Sequence, residues 1–521
     1  MRPIFRAIPR VPLLRHRVRT ITTDVLHKPQ DGRERVVILG SGWGGYTMSQ
    51  KLSSKKYAPL VVSPRSYFVF TPLLTDTAGG NLDFSHIVEP VRDPKTKVDF
   101  IQAAARAVDL NRKVVLCEPT IVKSGVTQTH TDEEDTPPRA KKWETGEPFE
   151  IPYDKLVISV GAISKTFKTP GVKDNAIFFR DIGDSRRVRR RVRECFELAV
   201  LPTTSPEMRK HLLHFAIVGA GPTGTELSAA LRDFIAGDLI ALYPDLQGMP
   251  RISLYDVAPT VLSMFDESLS KYAMDTMKKD GIDVRTSHHI QDLRWGPPGA
   301  EPPFEMDPRS CLTLTTKEEG QVGVGMCVWV TGNAMNELIS HSLLDVAVFP
   351  KGSAVVKDEK AVQDASDGPW SYKKAQKTGA LLVDGHLRVQ LQNQEGKTAV
   401  LQDVFALGDN AVLETGTPPA TAQVTSQEAK WLATRLNRGD IQTSPHFSFH
   451  NMGTLAYIGN ANALMQLPDE DGKHPQKLTG RMAWFVWSSA YLTMTISWRN
   501  KIRVAFRWFL NRLFGRDISR Y

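Results

Sequence analysis

Two glycine turns of the same form, each closing an apolar run and opening an amphipathic one, constrain this chain more than any other feature in it. The first lies in "RVVILGSGWGGYTMSQ", with Gly40, Gly42 and Gly45, and the second in "HFAIVGAGPTGTELSAALRDF", with Gly219, Gly221 and Gly224, about 180 residues later. A G-x-G-x-x-G turn between a strand and a helix lets backbone amides approach a pyrophosphate at the helix N-terminus, where the dipole favours an anion. A single copy is weak, because glycine turns are common. Two copies in this context predict two dinucleotides held by one polypeptide. The 521 residues give room for both, since single cores stop growing beyond about 250 to 300 residues. The expected fold class is α/β, with two Rossmann-type dinucleotide-binding domains.

The strand after each turn differs in its last residues. In the second copy "RISLYDV" ends at Asp256, a carboxylate placed to accept hydrogen bonds from ribose hydroxyls. An acid there repels a 2′-phosphate, so this half is expected to prefer NADH over NADPH. A solvated acid at a strand end is the alternative. In the first copy "VVSPR" offers Ser63 and Arg65 but no carboxylate. Far downstream, "VFALGDNA" leads a strand into Gly408 and Asp409, and "YDKLVISVGA" returns a buried strand to Gly161. A carboxylate at Asp409 suits the ribityl and pyrophosphate region of a flavin dinucleotide. With "VTGN" closing another strand at Gly332, the pattern is that of a two-dinucleotide flavoprotein.

Charge is placed unevenly. Of the net +9, residues 1–28 carry +6 and residues 481–521 carry +7, so the rest is mildly acidic and a nucleic-acid footprint over the whole chain is not indicated. The leader "MRPIFRAIPRVPLLRHRVRT" is Arg-rich, acid-free and interleaved with apolar residues, as a mitochondrial transit peptide is. Pro3, Pro9 and Pro12 weaken its helix, and a plain basic tail is the alternative. The stretch from about Lys123 to Glu147 and the tract from Lys351 to Lys377 read as polar excursions. "SRRVRRRVRE" places six arginines in eight positions, most simply a solvated helix face. Four isolated cysteines exclude a CxxC pair and a zinc cluster.

The C-terminal segment argues for a membrane surface. In "SWRNKIRVAFRWFLNRLFGR", Ile502, Phe506, Phe509 and Leu513 make one apolar stripe flanked by Arg499, Arg503, Arg507 and Arg512. Such a helix lies in an interface with its arginines on anionic headgroups. Just before it, Met482 to Trp498 is seventeen residues without charge, at the lower limit for a span and diluted by Ser and Thr. A packing or interfacial helix is expected there.

The chain resembles the type II, or alternative, NADH:ubiquinone oxidoreductases of the mitochondrial inner membrane. "GSGWGG", "SPRSYFVFTPLL", "IVEPVR", "VGAGPTGTELSAALRDF", "VWVTGNA", "VFALGDNA", "TAQVTSQEAKWLA" and "FGRDISRY" carry the resemblance, over nearly the whole chain after the leader. It implies FAD at Gly40, Gly42, Gly45, Ser63, Arg65, Gly161, Gly408 and Asp409, and NADH at Gly219, Gly221, Gly224, Asp256 and Gly332. It matches Glu226 to a glutamate near the nicotinamide and flavin rings. It sets Gln423 and Gln427, which share a helical face, beside the flavin, where their amides can hydrogen-bond quinone carbonyls. Ser426 departs from relatives with histidine there, so no titratable group is expected at that position.

The expected organisation is a leader over 1–30, FAD-binding parts over 31–175 and 351–480, an NADH-binding domain over 176–350, and an amphipathic membrane region over 481–521. The implied reaction is non-electrogenic: a hydride from NADH to FAD, then two electrons to ubiquinone. Ubiquinone, an inner-membrane surface with anionic lipids and a second copy in a homodimer are the expected partners. No hydrophobic sorting stretch follows the leader and no EF-hand loop interrupts the chain, which favours the matrix side. Two rivals stay open. A sulfide:quinone oxidoreductase needs paired redox cysteines, for which only Cys195 and Cys327 could be considered. An NADH-sensing signalling flavoprotein would show no steady turnover.

Overall fold

In the computed structural model the described residues are 31–93, 98–120, 147–343, 345–346, 348–356, 369–416, 418–468, 476–495 and 497–516. The transit-peptide leader, nearly all of the first polar excursion, the middle of the second and Asp517 to Tyr521 of the terminal motif lie outside them.

The first unit is built on five parallel strands in the order Thr398–Ala406, Lys155–Ile158, Glu34–Leu39, Tyr57–Ser63 and Asp99–Asp109. Their central residues are apolar without alternation: Val36, Val37, Ile38 and Leu39 are all buried. That is what a parallel strand covered on both faces requires. The strand leading to the first glycine turn sits mid-sheet, with its neighbours reached in opposite directions, so a crevice opens at its carboxyl end. Helix α1 (Trp43–Lys51) follows the turn. Further antiparallel strands, among them Ala354–Val356 and Trp370–Tyr372 at the borders of the second polar tract, widen this sheet.

The second unit repeats the plan with Ile177–Phe178, Met326–Trp329, His214–Val218, Arg251–Tyr255 and Ile282–Arg285, all parallel. Helix α2 (Ile182–Ala199) enters it, begun by a capping box in which Asp181 and Asp184 satisfy each other's end of the first turn. Helix α3 (Pro222–Phe234) follows the second glycine turn. The arginine run lies on α2 and is less uniform than a solvated face. Arg191 turns inward and donates to Gly325 O (2.9 Å), Pro308 O (2.7 Å) and Ser310 O (3.0 Å), tying loops of the second unit to the helix.

Helix α4 (Ala422–Arg438) returns the chain to the first unit and packs on α1. At its end Asn437 accepts from Ser53 N and donates to Lys51 O, both at 2.8 Å, which closes the last turn of α1. A three-stranded antiparallel sheet, Thr454–Gly459, Asn462–Gln466 and Lys477–Thr479, then leads into α5 (Gly480–Met494) and α6 (Trp498–Phe514). The uncharged run from Met482 to Trp498 is thus broken between two helices, with Ser497 capping α6 by accepting from Asn500 N at 3.2 Å. Among the described residues no helix is long and apolar enough to cross a membrane.

Candidate functional site

The two glycine turns have the same geometry. Gly40 and Gly219 take φ of +106° and +113°, a region that favours glycine. A side chain on Gly45 would collide with the carbonyl of Gly40, and one on Gly224 with the carbonyl of Gly219, so these glycines let helix and strand pack closely. Gly42 and Gly221 face the other way, and a Cβ on either would meet nothing within 4 Å. They are the N-caps of α1 and α3, and neither helix has a capping side chain or an acid in its first turn. Two sets of orphan amides are left for anions, which fits a pyrophosphate at each.

The strand ends complete the two cradles differently. Asp256 accepts from Ala220 N at 2.5 Å through one oxygen and from Ala258 N at 2.7 Å through the other, so the carboxylate braces the turn it faces. Ser63 is buried, 3.0 Å from the Ser41 hydroxyl, and accepts from Arg65 N at 3.2 Å. Arg65 is half exposed and 3.3 Å from Asp181, to which the Tyr67 hydroxyl also donates (3.1 Å).

Gly161, Gly408 and Asp409 come together with Gly40 at the carboxyl ends of adjacent strands in the first unit. Asn410 binds them: it accepts from Gly161 N at 3.0 Å and donates to Ile158 O at 3.1 Å. Glu428 of α4 accepts from Gly408 N at 2.8 Å, and burial raises its carboxyl to about 7. Between the units, Ala162–Ser164 pairs antiparallel with Asn333–Met335, and Arg180 crosses both strands. It donates to Ser164 Oγ (2.8 Å), Ala162 O (3.3 Å), Gly332 O (3.2 Å) and Asn333 Oδ1 (2.6 Å). Burial pushes Asp409 up and Arg180 down, and each charge opposes the other's shift. Arg180 therefore links Gly332 of the second unit to Asp409 of the first. The motifs do not reveal Arg180, Asn410 or Glu428, although Asn410 directly follows the Gly-Asp pair and Glu428 directly follows Gln427.

Glu226 lies one turn inside α3 rather than at its mouth and is buried. Its carboxylate accepts from Tyr457 N at 3.1 Å. Burial raises it to about 8, the Tyr457 amide tempers the shift, and the Asp76 carboxylate adds to it. Asp76, also buried, is raised to about 6 by burial. At neutral pH Glu226 therefore carries a proton that an exposed glutamate would have released.

Gln423 and Gln427 do share one face of α4, and both amides are engaged. Gln423 accepts from Met452 N at 3.0 Å and donates to Gly453 O at 3.3 Å. Gln427 accepts from His450 N at 3.0 Å and donates to His450 O at 2.8 Å. The pair clamps the segment 450–453 onto α4. All four cysteines are buried and unbonded, and burial pushes Cys195 and Cys327 up to about 12, which suits neither as a thiolate.

Two sheets with open glycine cradles, joined by an arginine, define the class of two-dinucleotide oxidoreductases, and the family model described as pyridine nucleotide-disulphide oxidoreductase matches residues 34–366. A second model, described as the NDH2 C-terminal domain, matches residues 451–517. The chain belongs to the type II, or alternative, NADH dehydrogenase family within that class. A probable NADH dehydrogenase of Dictyostelium discoideum is 33% identical, over 94% of this chain and 91% of its own. The mitochondrial external alternative NADH-ubiquinone oxidoreductase of Yarrowia lipolytica is 31% identical, over 95% and 83%. The mitochondrial internal alternative NAD(P)H-ubiquinone oxidoreductase A1 of Solanum tuberosum is 31% identical, over 94% and 88%. In fold the chain is similar to NDH2 of Plasmodium falciparum solved in complex with NADH, with a TM-score of 0.72 and 22% identity over 94% of this chain and all of that one.

Proposed function

We propose that this protein is a mitochondrial, non-proton-pumping NADH:ubiquinone oxidoreductase with FAD as its resident cofactor. The observation that carries the reading is the pair of uncapped, glycine-opened helix N-termini, one per sheet, with Asp256 at the second alone. The relatives named as alternative NADH-ubiquinone oxidoreductases, external and internal alike, support the acceptor and the mitochondrial setting.

The chain's residues have separate tasks. The amides at Gly40, Gly42 and Gly45 would hold the FAD pyrophosphate, with Asp409 at the ribityl side and Ser63 and Arg65 toward the adenosine. Those at Gly219, Gly221 and Gly224, with Gly332, would hold NADH, and Asp256 would accept from its ribose hydroxyls. Bound in this way, FAD supplies two-electron transfer from the nicotinamide to a quinone. Glu226 stores a proton in a site that burial keeps dry. Gln423 and Gln427 fix the segment 450–453 over α4, on the side where the resemblance sets the quinone. The exposed Phe485, Trp498, Ile502, Phe506, Phe509 and Phe514 of α5 and α6 are the surface that meets the membrane.

The test is to purify the protein, identify its flavin, and compare NADH, NADPH and sulfide as donors to a soluble quinone. NADH-driven turnover with bound FAD is expected. Flavin reduction by sulfide alone, or by no donor, overturns the reading.

A further inference from the structure

Helix α6 lies along residues 79–90 of the first unit, and its hydrogen bonds fix the direction. Near its start Asn500 donates to Val88 O and to Glu89 Oε1, both at 2.9 Å. Near its end Asn511 donates to Asn81 O at 2.6 Å, and beyond it Arg516 reaches Gly79 O at 3.4 Å. The two segments run antiparallel. Arg503 and Arg507, four apart on one face, fall opposite the middle of the stretch, a single 3-10 turn at Phe84–His86. From the other side α2 reaches the same turn, with the guanidinium groups of Arg186 and Arg189 at 5.0 and 5.8 Å from the centre of the Phe84 ring.

Cations gather here more densely than the nearby carboxylates can neutralise. Asp83 caps the 3-10 turn, accepting from Ser85 N (2.8 Å) and Ser85 Oγ (2.6 Å). Glu89 is taken by Asn500 and by Arg499 at 3.5 Å, and Asp184 by Arg187. Among the described residues no ion pair holds Arg186, Arg503 or Arg507. Two buried polar atoms, His86 Nδ1 and Arg507 Nε, have no hydrogen-bond partner. The His86 imidazole is held below its ordinary range by burial, and Asp83 opposes the shift while Arg503 and Arg507 deepen it. A proton on His86 would only add to the positive charge of this site. An anion is what it lacks.

We propose that Arg186, Arg503 and Arg507, gathered around Phe84 and His86, bind the phosphate of an anionic lipid headgroup. The proposal rests on reading α5 and α6 as a membrane surface, and it adds that the flavin unit touches the bilayer as well. Ile502, Phe506 and Phe509 of the same α6 are 66%, 59% and 58% exposed, so the cations border an acyl-seeking surface rather than open water. Arginine suits the ligand because its planar fork matches phosphate oxygens.

The test uses the full-length holoenzyme and co-sedimentation with two kinds of vesicle, phosphatidylcholine alone and its equimolar mixture with phosphatidylglycerol. The parent is expected to prefer the mixture, and Arg186→Gln to lose about five-fold of that preference. Phe84→Leu should lose part of it. Arg190→Gln, on the same helix but paired with Glu194, should keep it. Turnover of NADH with a soluble quinone should be unchanged in all three. Equal loss in Arg186→Gln and Arg190→Gln, or none in either, overturns the site, as does a parent that binds both vesicles equally. Inorganic phosphate should reduce the preference more than chloride does at matched ionic strength, and equal reduction by the two salts overturns a site that recognises phosphate. A parent that binds neither vesicle removes the membrane reading itself.

Discussion

Gln427 and the main chain of His450 exchange two hydrogen bonds, of 2.8 and 3.0 Å, so that a side-chain amide does what a neighbouring strand would do. Gln423 repeats this with Met452 and Gly453 one helical turn earlier. A glutamate at 427 keeps the acceptor and loses the donor, setting a carboxylate against the His450 carbonyl. We expect Gln427→Glu to raise KM for quinone about tenfold, the value of one well-made hydrogen bond, and to leave KM for NADH unchanged. Steady-state kinetics with each substrate varied in turn would decide it, and a rise in the NADH constant instead would count against the clamp.

The second glycine turn separates two kinds of damage. Gly221→Ala places a methyl group in open space over the anion cradle, so it should weaken NADH binding and leave Tm as it was. Gly224→Ala drives a methyl into the Gly219 carbonyl and should lower Tm as well, with kcat/KM for NADH down on the order of a hundredfold. Both should keep their flavin absorbance, since the first turn is untouched. Thermal melts beside flavin spectra check the contrast.

Arg180 is the junction between the units, and its four acceptors lie on both strands of the crossing. Lysine keeps the charge but cannot fork to all of them. Arg180→Lys should cost on the order of 2 kcal/mol in urea unfolding and release flavin during gel filtration, because the cation that Asp409 attracts is no longer held by four acceptors. Full flavin retention would show that the arginine serves the junction alone.

Glu226 gives stability a pH dependence whose sign follows from its upward shift. A glutamate with an ordinary value of 4.5 that is held at about 8 when folded keeps a proton the unfolded chain has released. Its contribution is full below about pH 4.5, falls as pH rises through 8, and is constant above that. Glu226→Gln cannot ionise. Its Tm relative to the parent should therefore climb by a few °C between about pH 5 and pH 8. A difference that stays flat across that range would mean the carboxyl is not the buried acid described above.

What could be read from the sequence was what is decided locally. The glycines announce themselves because a positive φ at Gly40 and a missing Cβ at Gly45 answer to their immediate neighbours. Asp256 was legible because the end of the second strand is its own landmark. Arg180 was not, since Gly332 and Asn333 lie more than 150 residues away and only the crossing of two short strands brings them within reach. The face shared by Gln423 and Gln427 followed from helical spacing. Their partners did not, because a segment some 25 residues downstream had to fold back against that face. The arginines of α2 show the same limit. Nothing in "RRVRRRVR" marks Arg189 and Arg191 as turning inward or Arg186 as meeting Phe84.

The seam between α6 and residues 79–90 also bears on how the protein would leave the membrane surface proposed for it. Val504 is fully buried in that seam, and Gly79 at its far end lies so close to Ala230 of α3 that no side chain would fit between them. A protease that trimmed the terminal helices would thus not free a soluble dehydrogenase. It would uncover Asp76, which Trp508 and Arg516 cover, and strip the support from α3, whose N-terminus is proposed to hold NADH, so release and inactivation would be one event.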